Sequence, residues 1–393
     1  MKRILFLILL SSQLLSAQRP LSSSAEISLI TCGPGQNELY SAFGHSAVRV
    51  KDPAQNIDWV FNYGIFDFDQ PNFYLNFARG HLLYMLALTD WQRFQYSYQR
   101  EGRFIHEQVL DLDSLQAQAY FEFLWNNARP ENRDYYYDYF YDNCATRVRD
   151  GLEIALGSKY VQFSDSTFYQ PALSIRELCD EYLVYQAWGD LGIDLCLGLP
   201  MDKQADARIE MFLPDLLEAA FAEAVIIDAQ GTRPLVRESR VVYPQVAKAQ
   251  KSWWRPLSFF AALLVLGIIL SWRFYKNAKA LRFFDGFLFA LSGLLGLLLL
   301  LLWLFTDHKA AAYNFNILLF LPSHLLLVPA ILRGRLAGRL QNYLKLLPVF
   351  YALLAISWFW LPQQLHLGLY PLALLLLLRS WHLSRQALNT KKA

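Results

Sequence analysis

The sequence predicts two parts, an exported α+β domain followed by an all-α membrane domain of five helices. Three observations support this prediction: a leader-like start, strand-like runs punctuated by turns, and apolar residues that make up 54% of the chain but are unevenly spread. Residues 19 to 250 have the charge density of a globular protein, whereas leucine-rich runs dominate from Pro256 onward. The net charge of +2 gives no reason to expect a nucleic-acid partner.

The N terminus resembles a secretory signal peptide. Lys2 and Arg3 precede an apolar run, and small residues near Ala17 form a cleavage site. We therefore expect a signal peptide at 1–17 and an exported domain at 18–250. An uncleaved anchor is the alternative, and it would export the same domain.

Strand-like runs come first in the exported domain. "HSAVRV" and "IDWVFNYG" flank "KDPAQN", which predicts a hairpin. If Val50 pairs with Ile57, His45 lies opposite Asn62 on the next strand. A slip of one residue would place Phe61 or Tyr63 there instead.

Helical patterns follow. Residues 72 to 99 predict a helix followed by a strand, and "DSLQAQAYFEFLWNNARP" has helical apolar spacing that Pro130 ends. In "DNCATRVRDGLEIALG" apolar residues recur every four positions from Cys144, and Gly157 ends the pattern. Asp142 or Asn143 is the expected N-cap.

Cys144 is the candidate nucleophile. In a first helical turn its sulfur meets unpaired N–H groups and the positive end of the helix dipole, and both favour a thiolate. The exported domain has three histidines, and His45, which follows Gly44 and opens a strand, is a better partner than His81 or His106. A buried inert thiol is the alternative, and four cysteines also permit Cys144 to be half of a disulfide.

No cysteine or histidine pair has a close metal-ligand spacing, so we expect no metal site.

Five segments are apolar enough to span a membrane, within a predicted domain at 251–393: 257–272, 283–305, 313–332, 345–361 and 365–379. Basic loops at 273–282 and 333–345 alternate with loops of little positive charge, which places the exported domain on the non-cytoplasmic side. No span has a central acidic residue, and Asp285 lies near an end, so ion transport is not expected. His324 is expected to pack or hydrogen-bond between helices.

Several stretches together resemble a known family. "TCGPGQNELYSAFGHSAVRV", "FNYGIFDFDQPNFYLNFARG", "PENRDYYYDYFYDNCATRVRDG" and "MFLPDLL" are similar to the exported domain of the Lnb family, lipoprotein N-acyltransferases described in Bacteroidota. The likeness spans about 25 to 240, and the spans that follow resemble that family's transmembrane part. A histidine ahead of an Asn-Cys pair also resembles permuted papain-like enzymes of the lecithin-retinol acyltransferase and NlpC-type groups.

The resemblance implies a permuted papain-like fold, in which an antiparallel sheet packs on the helix that bears the cysteine. It implies that Cys144 and His45 form a catalytic dyad. Asn62 matches the third position, although several relatives have histidine there. Asn143, Arg147 and Tyr63 are expected to contact substrate, with Arg147 able to hold a lipid phosphate. For Arg147, surface pairing with a carboxylate such as Asp150 is the alternative.

The implied activity is acyl transfer from a membrane phospholipid, through a thioester on Cys144, to the α-amine of a diacylated lipoprotein. It needs no metal or soluble cofactor. The chain would be a multi-pass protein of the bacterial inner membrane, with its N-terminal domain in the periplasm. The alternatives are a membrane-anchored papain-like cell-wall amidase or peptidase, and a receptor or assembly factor without catalysis.

Overall fold

The computed structural model describes residues 20–389 except 68, 249, 276, 336 and 337. The predicted signal peptide at 1–17 lies outside the described residues. A sheet-rich α+β part comes first, and its last strand ends at Tyr243. The first long apolar helix begins at Pro256, so these two elements lie on either side of the predicted domain boundary.

A seven-stranded antiparallel sheet forms the centre of the α+β part. Its strand order is β10-β5-β1-β2-β3-β4-β6, and a smaller sheet has the order β7-β8-β9. The strands are β1 (Glu26–Cys32), β2 (His45–Asp52), β3 (Ile57–Ile65), β4 (Leu83–Asp90), β5 (Ile105–Leu110), β6 (Asp134–Tyr136), β7 (Val161–Gln162), β8 (Val225–Asp228), β9 (Gly231–Pro234) and β10 (Val236–Tyr243).

Helices cover both faces of this sheet. They are α1 (Phe73–Arg79), α2 (Trp91–Arg100), α3 (Ser114–Asn127), α4 (Cys144–Leu156), α5 (Ile175–Leu183), α6 (Ala187–Cys196), α7 (Ala207–Glu210) and α8 (Pro214–Glu223). Helices α3 and α4 pack through Phe121 and Val148 against sheet residues such as Phe61. On the opposite face, α2 packs through Trp91 and Phe94. The helix that bears Cys144 therefore packs on an antiparallel sheet, as the sequence predicts.

The register of the β2–β3 hairpin differs from the prediction by two residues. Val50 pairs with Trp59 rather than with Ile57. The turn is shorter than the sequence suggested, because the strand continues to Asp52 and the chain reverses through a 3₁₀ turn at Pro53–Gln55. A shift of two residues keeps every side chain on its predicted face, whereas a shift of one would have reversed them all.

Four helices are long and apolar enough to cross a membrane among the described residues: 256–273, 279–305, 338–360 and 367–386. They correspond to the α-helices α9 (Pro256–Arg273), α10 (Arg282–Phe305), α13 (Gly338–Ser357) and α14 (Tyr370–Asn389). Four of the five predicted spans therefore correspond to such helices.

The third predicted span, at 313–332, is not one continuous helix. It consists of α11 (Asn316–Leu319), a 3₁₀ turn at Pro322–Leu326 and α12 (Val328–Arg333). Pro322 interrupts the helical hydrogen bonds because proline has no N–H group. His324 in this segment is fully buried and contacts Ser292 Oγ and Tyr351 OH, both at 3.0 Å. This confirms the predicted interhelical hydrogen bonding.

The α+β part contacts one end of the helical part. Asn316 Nδ2 donates to Asp194 O at 2.8 Å, and Gln363 Nε2 donates to Leu197 O at 3.1 Å. These contacts come from the two segments near 306–316 and 361–366, which carry little positive charge. The basic loops lie at the other ends of the helices, so the structure agrees with the predicted orientation.

A buried ion pair joins three spanning helices. Arg379 on α14 donates from Nε and Nη2 to Asp285 on α10, at 2.7 and 2.9 Å, and from Nη1 to Ser271 on α9. We expect Arg379→Met to destabilise the helical part by about 3–5 kcal/mol, because it leaves a buried carboxylate without its partner. The unfolding free energy in detergent micelles measures this loss. The double variant Asp285→Leu/Arg379→Met should recover most of it; equal stability of the single variant and the wild type would contradict the prediction.

Candidate active site

Asn143 fixes the start of the helix that bears Cys144. Its Oδ1 accepts hydrogen bonds from the N–H groups of Ala145 and Thr146, both at 2.9 Å, and its own N–H donates to Thr146 Oγ1 at 2.8 Å. Its Nδ2 donates to the carbonyls of Tyr139 and Phe212, at 2.9 and 2.8 Å. All of these hydrogen bonds are internal, so Asn143 positions the nucleophile. Its side-chain oxygen already accepts two hydrogen bonds and its side-chain nitrogen already donates two, which leaves neither atom for the predicted substrate contact.

His45 lies at the start of β2 and contacts Asn62, as the sequence predicts. His45 Nε2 lies 2.5 Å from Asn62 Oδ1. An amide oxygen can only accept, so Nε2 carries the proton and Nδ1 remains to take a proton from a thiol. By the observed register His45 lies opposite Gly64, and Asn62 reaches it diagonally across the two strands.

Gly64 lies beside both Cys144 and His45. A Cβ atom built on Gly64 would lie 3.5 Å from Cys144 Cβ and 4.0 Å from His45 Cε1. Both reactive side chains therefore approach one small space, and a side chain at this position would fill it. Gly64 also has a φ of 86°, which favours glycine. The sequence analysis missed this residue, although a glycine directly after "FNY" in a strand is a signal of close approach.

Cys144 and His45 stabilise each other in their charged forms. Burial opposes the Cys144 thiolate, but the charge and hydrogen bond of His45, with the N–H groups of Ser46 and Ala145, lower the pKa of Cys144 below that of an ordinary thiol. Burial likewise opposes the imidazolium, but the charge and hydrogen bond of Cys144 raise the pKa of His45. The site therefore favours a thiolate–imidazolium pair, the reactive form of a cysteine nucleophile.

The other three thiols differ from Cys144. All four cysteines are free. Burial raises the pKa of Cys32, Cys179 and Cys196, which makes them poor nucleophiles. A free Cys144 thiol also does not fit the alternative in which this residue forms a disulfide.

The two remaining histidines of the α+β part have carboxylate partners. His106 Nδ1 lies 3.0 Å from Glu218 Oε1, and His81 Nε2 lies 2.5 Å from Asp307 Oδ2. His45 is thus the histidine that the structure brings to Cys144. Its ring also stacks on Tyr98 of α2 at a centroid distance of 6.3 Å, a contact that the sequence did not predict.

Arg147 is already paired. Its Nε and Nη2 donate to the two carboxylate oxygens of Asp142, at 2.5 and 2.7 Å, and its guanidinium lies 3.6 Å above the Tyr135 ring. Asp150 pairs instead with Arg149, at 2.8 Å. Arg147 therefore pairs with a carboxylate, as the alternative expected, but the partner is Asp142 and not Asp150. A lipid phosphate would have to compete with Asp142 for the guanidinium group.

Tyr63 lies in the core beneath the site. It is 2% exposed and packs edge-on against Tyr135 at 6.3 Å. The odd-numbered residues of β3 face helices α3 and α4, so Tyr63 points into the sheet–helix layer, where it packs with Phe61. This position gives it a packing role and leaves almost no surface for the predicted substrate contact.

Three carboxylates, Asp180, Asp190 and Asp194, are the only group among the described residues with metal-like spacing, with ligand atoms within 4.8 Å of one another. Burial and the charges of Asp194 and Asp190 raise the pKa of Asp180 to about 8. Arg176 donates to Asp194 at 2.5 Å and supplies positive charge to the group. These residues belong to α5 and α6 and take no part in the Cys144 site.

The rate at which iodoacetamide alkylates Cys144 should reach its plateau at a lower pH than for an ordinary thiol, because the pKa of Cys144 is lowered. As the pH falls through that pKa, the thiolate gains a proton and the rate falls. In His45→Ala the favourable charge is lost and burial dominates, so the curve should move to higher pH. Mass spectrometry of the alkylated peptide between about pH 5 and 10 measures both curves.

His106→Ala is the matched control, because it removes an imidazole that pairs with Glu218 and should leave the Cys144 curve in place. A wild-type curve at the pH of an ordinary thiol would contradict the ion pair.

Two family models match the chain. Residues 19–181 match the Lnb N-terminal periplasmic domain, and residues 248–391 match the Lnb transmembrane domain. His45, Asn62 and Cys144 all lie within the first match. Searches of curated proteins and of solved structures give no match.

Proposed function

The chain belongs to the Lnb family, with a periplasmic N-terminal domain and a transmembrane domain, and from this premise we propose that it is a lipoprotein N-acyltransferase of the inner membrane. The observation that supports this proposal best is the free Cys144 thiol, which has a lowered pKa and shares one space with His45. We further propose that the α+β domain is a permuted papain-like fold, because the nucleophile begins a helix that packs on an antiparallel sheet bearing the histidine.

The first step loads the enzyme. The Cys144 thiolate attacks an ester carbonyl carbon of a membrane phospholipid and forms a C–S bond. The N–H groups of Ser46 and of the first turn of α4 lie nearest the sulfur and would stabilise the oxyanion. The C–O bond to the glycerol then breaks, and the His45 imidazolium gives its proton to the departing alkoxide. The products are a lysophospholipid and a thioester on Cys144.

The second step transfers the chain. The α-amine of the lipid-modified cysteine at the N terminus of a diacylated lipoprotein attacks the thioester carbonyl. A C–N bond forms, the C–S bond breaks, and neutral His45 takes the proton released by the amine, which restores the ion pair. An α-amine with a pKa of about 8 is partly neutral near pH 7, so it needs little activation. Conversion of a thioester to an amide lowers the free energy, so the second step drives the reaction forward.

Asn62 is proposed as the residue that orients His45. By accepting a hydrogen bond from the Nε2–H group, the Asn62 side chain holds Nδ1 available for the sulfur and for the transferred protons. An amide cannot carry the negative charge of the aspartate found in many triads, so the partner that stabilises the imidazolium is the thiolate itself. Once the thioester has formed, this charge is gone, and the histidine is free to act as a base toward the incoming amine.

The membrane domain fits lipid substrates. Both the donor and the acceptor of the proposed reaction carry acyl chains that stay in the bilayer, and the α+β domain is held at one end of the spanning helices by contacts such as Asn316 to Asp194. A cell-wall amidase or peptidase could use the same dyad, but its substrate lies outside the bilayer and gives no reason for the four spanning helices of the described residues.

The purified full chain, mixed with phospholipid vesicles and a diacylated lipopeptide, should add one acyl chain to the α-amine of the lipopeptide. Cys144→Ala should abolish the mass gain, and His45→Ala should slow it by about a hundredfold or more, because general acid–base catalysis is lost. Mass spectrometry of the peptide measures the product. His106→Ala serves as the control.

The alternatives give different products. Cleavage of peptidoglycan fragments without acyl transfer would favour the amidase or peptidase. Absence of either reaction, with Cys144 still free and alkylated normally, would favour the receptor or assembly factor.

A further inference from the structure

Helix α1 exposes an unusual amount of apolar surface. Tyr74 is 82% exposed, Leu75 56% and Phe77 45%, and no residue of the helix is buried. A helix in a periplasmic domain normally turns its large apolar side chains toward the core. Adjacent exposed apolar side chains of this kind mark a surface that contacts another apolar phase.

Helix α1 contacts the loop that directly follows a spanning helix. The spanning helix α10 ends at Phe305, and the N–H of Asp307 donates to Arg79 O at 3.0 Å. His308 Nε2 lies 2.9 Å from Phe77 O, and Asp307 also pairs with His81. The loop that binds α1 therefore starts directly after the end of an apolar helix that is long enough to span a membrane, and the ends of such helices lie near the lipid headgroups in a bilayer.

A series of aromatic rings runs inward from α1. Phe73 contacts Phe66 with a centroid distance of 6.1 Å, Phe66 contacts Tyr84 at 5.2 Å, and Tyr84 stacks on Tyr137 at 4.2 Å. Phe66, Phe73 and Tyr137 are half-buried residues, and Tyr84 between them is buried. We name these four residues the aromatic track.

The aromatic track ends at the reactive thiol. Tyr137 Cε2 lies 3.5 Å from the position of a Cβ atom on Gly64, and the same position lies 3.5 Å from Cys144 Cβ. Because Gly64 has no side chain, the space beside the last ring is continuous with the space beside the sulfur. The ring contacts thus form a continuous series from α1 to the residues beside the nucleophile.

We propose that α1 inserts its exposed side chains into the membrane surface and that the aromatic track carries the acyl chain of a bilayer phospholipid to Cys144. The acyl path rests on the proposed function, whereas the membrane contact of α1 does not. An ester carbonyl lies near the headgroups, so the donor must rise from the bilayer to reach a periplasmic thiol. Rings along the way cover the methylene groups that would otherwise face water.

Photo-crosslinking tests the membrane contact without catalysis. The photoreactive residue p-benzoylphenylalanine replaces Tyr74, Leu115 or Trp253, one at a time, in the full chain reconstituted in phospholipid nanodiscs. Leu115 is a matched control because it is 83% exposed but belongs to α3, and Trp253, 82% exposed just before α9, is the positive control. We expect phospholipid adducts, detected by mass, at 74 and 253 and none at 115. An adduct at 253 without one at 74 would overturn the membrane contact.

Single-turnover loading tests the acyl path. The double variant Tyr74→Ser/Leu75→Ser should form the acyl-Cys144 thioester from bilayer phospholipid about tenfold more slowly than the wild type, because two apolar side chains no longer anchor α1 in lipid. Leu115→Ser is the control and should load at the wild-type rate. Intact mass measures the thioester, and iodoacetamide alkylation of Cys144 reports whether the dyad is intact in each variant.

The outcomes separate the two proposals. If the double variant loads as fast as the wild type, the acyl path is wrong although the acyltransferase stands. If the wild type does not load at all, the proposed function fails, and the adduct at 74 alone decides whether α1 contacts the membrane.

Discussion

The contact between Cys144 and His45 is the interaction on which the candidate site depends. Cys144 is buried and His45 is half-buried, and loss of water contact alone would favour the neutral thiol and the neutral imidazole. The charged forms are favoured because each group supplies the opposite charge to the other at close range, and this attraction falls quickly with separation. The strength of this attraction therefore depends on how the backbone positions residues 144 and 45 relative to each other. Asn143 fixes one by capping α4 and donating to the distant carbonyl of Phe212, and the pairing of β2 with β1 fixes the other.

The parts of the site that follow from local sequence could be predicted. The start of α4 and its end at Gly157 depend on residues within one or two turns, and both agree with the structure. Of the two predicted N-caps, Asp142 and Asn143, the structure has Asn143. The contact between His45 and Asn62 was also predicted, although the register behind it was wrong by two residues. The predicted contact is nevertheless present, because a shift of two residues keeps both side chains on the same face of the sheet. On one face, side chains of adjacent strands can reach each other diagonally.

The parts that depend on loops and on contacts distant in sequence could not be predicted in this way. The Asp142 partner of Arg147 depends on the path of the chain just before α4, and the role of Gly64 depends on which side chains the fold brings next to an empty position. The helix α2 within the segment 72–99 was missed because the pattern there was interpreted as one helix and one strand. In the membrane part, hydropathy identifies apolar segments but does not report that Pro322 divides one of them.

Loop 306–315 holds the α+β domain against the membrane domain, because it contacts the α+β domain at two separated places. Asp307 and His308 bind α1, whereas Asn314 donates to Leu195 O at the end of α6. One contact would leave the domain able to tilt about it, but two contacts from one short loop restrict that tilt, and Gln363 adds a third from the next loop. The carbonyl of the proposed substrate lies at a fixed depth in the bilayer. Any tilt of the α+β domain would therefore change the distance between the Cys144 sulfur and that carbonyl. Rigid docking would therefore serve catalysis as directly as the dyad does, since proximity and orientation are themselves part of the rate enhancement.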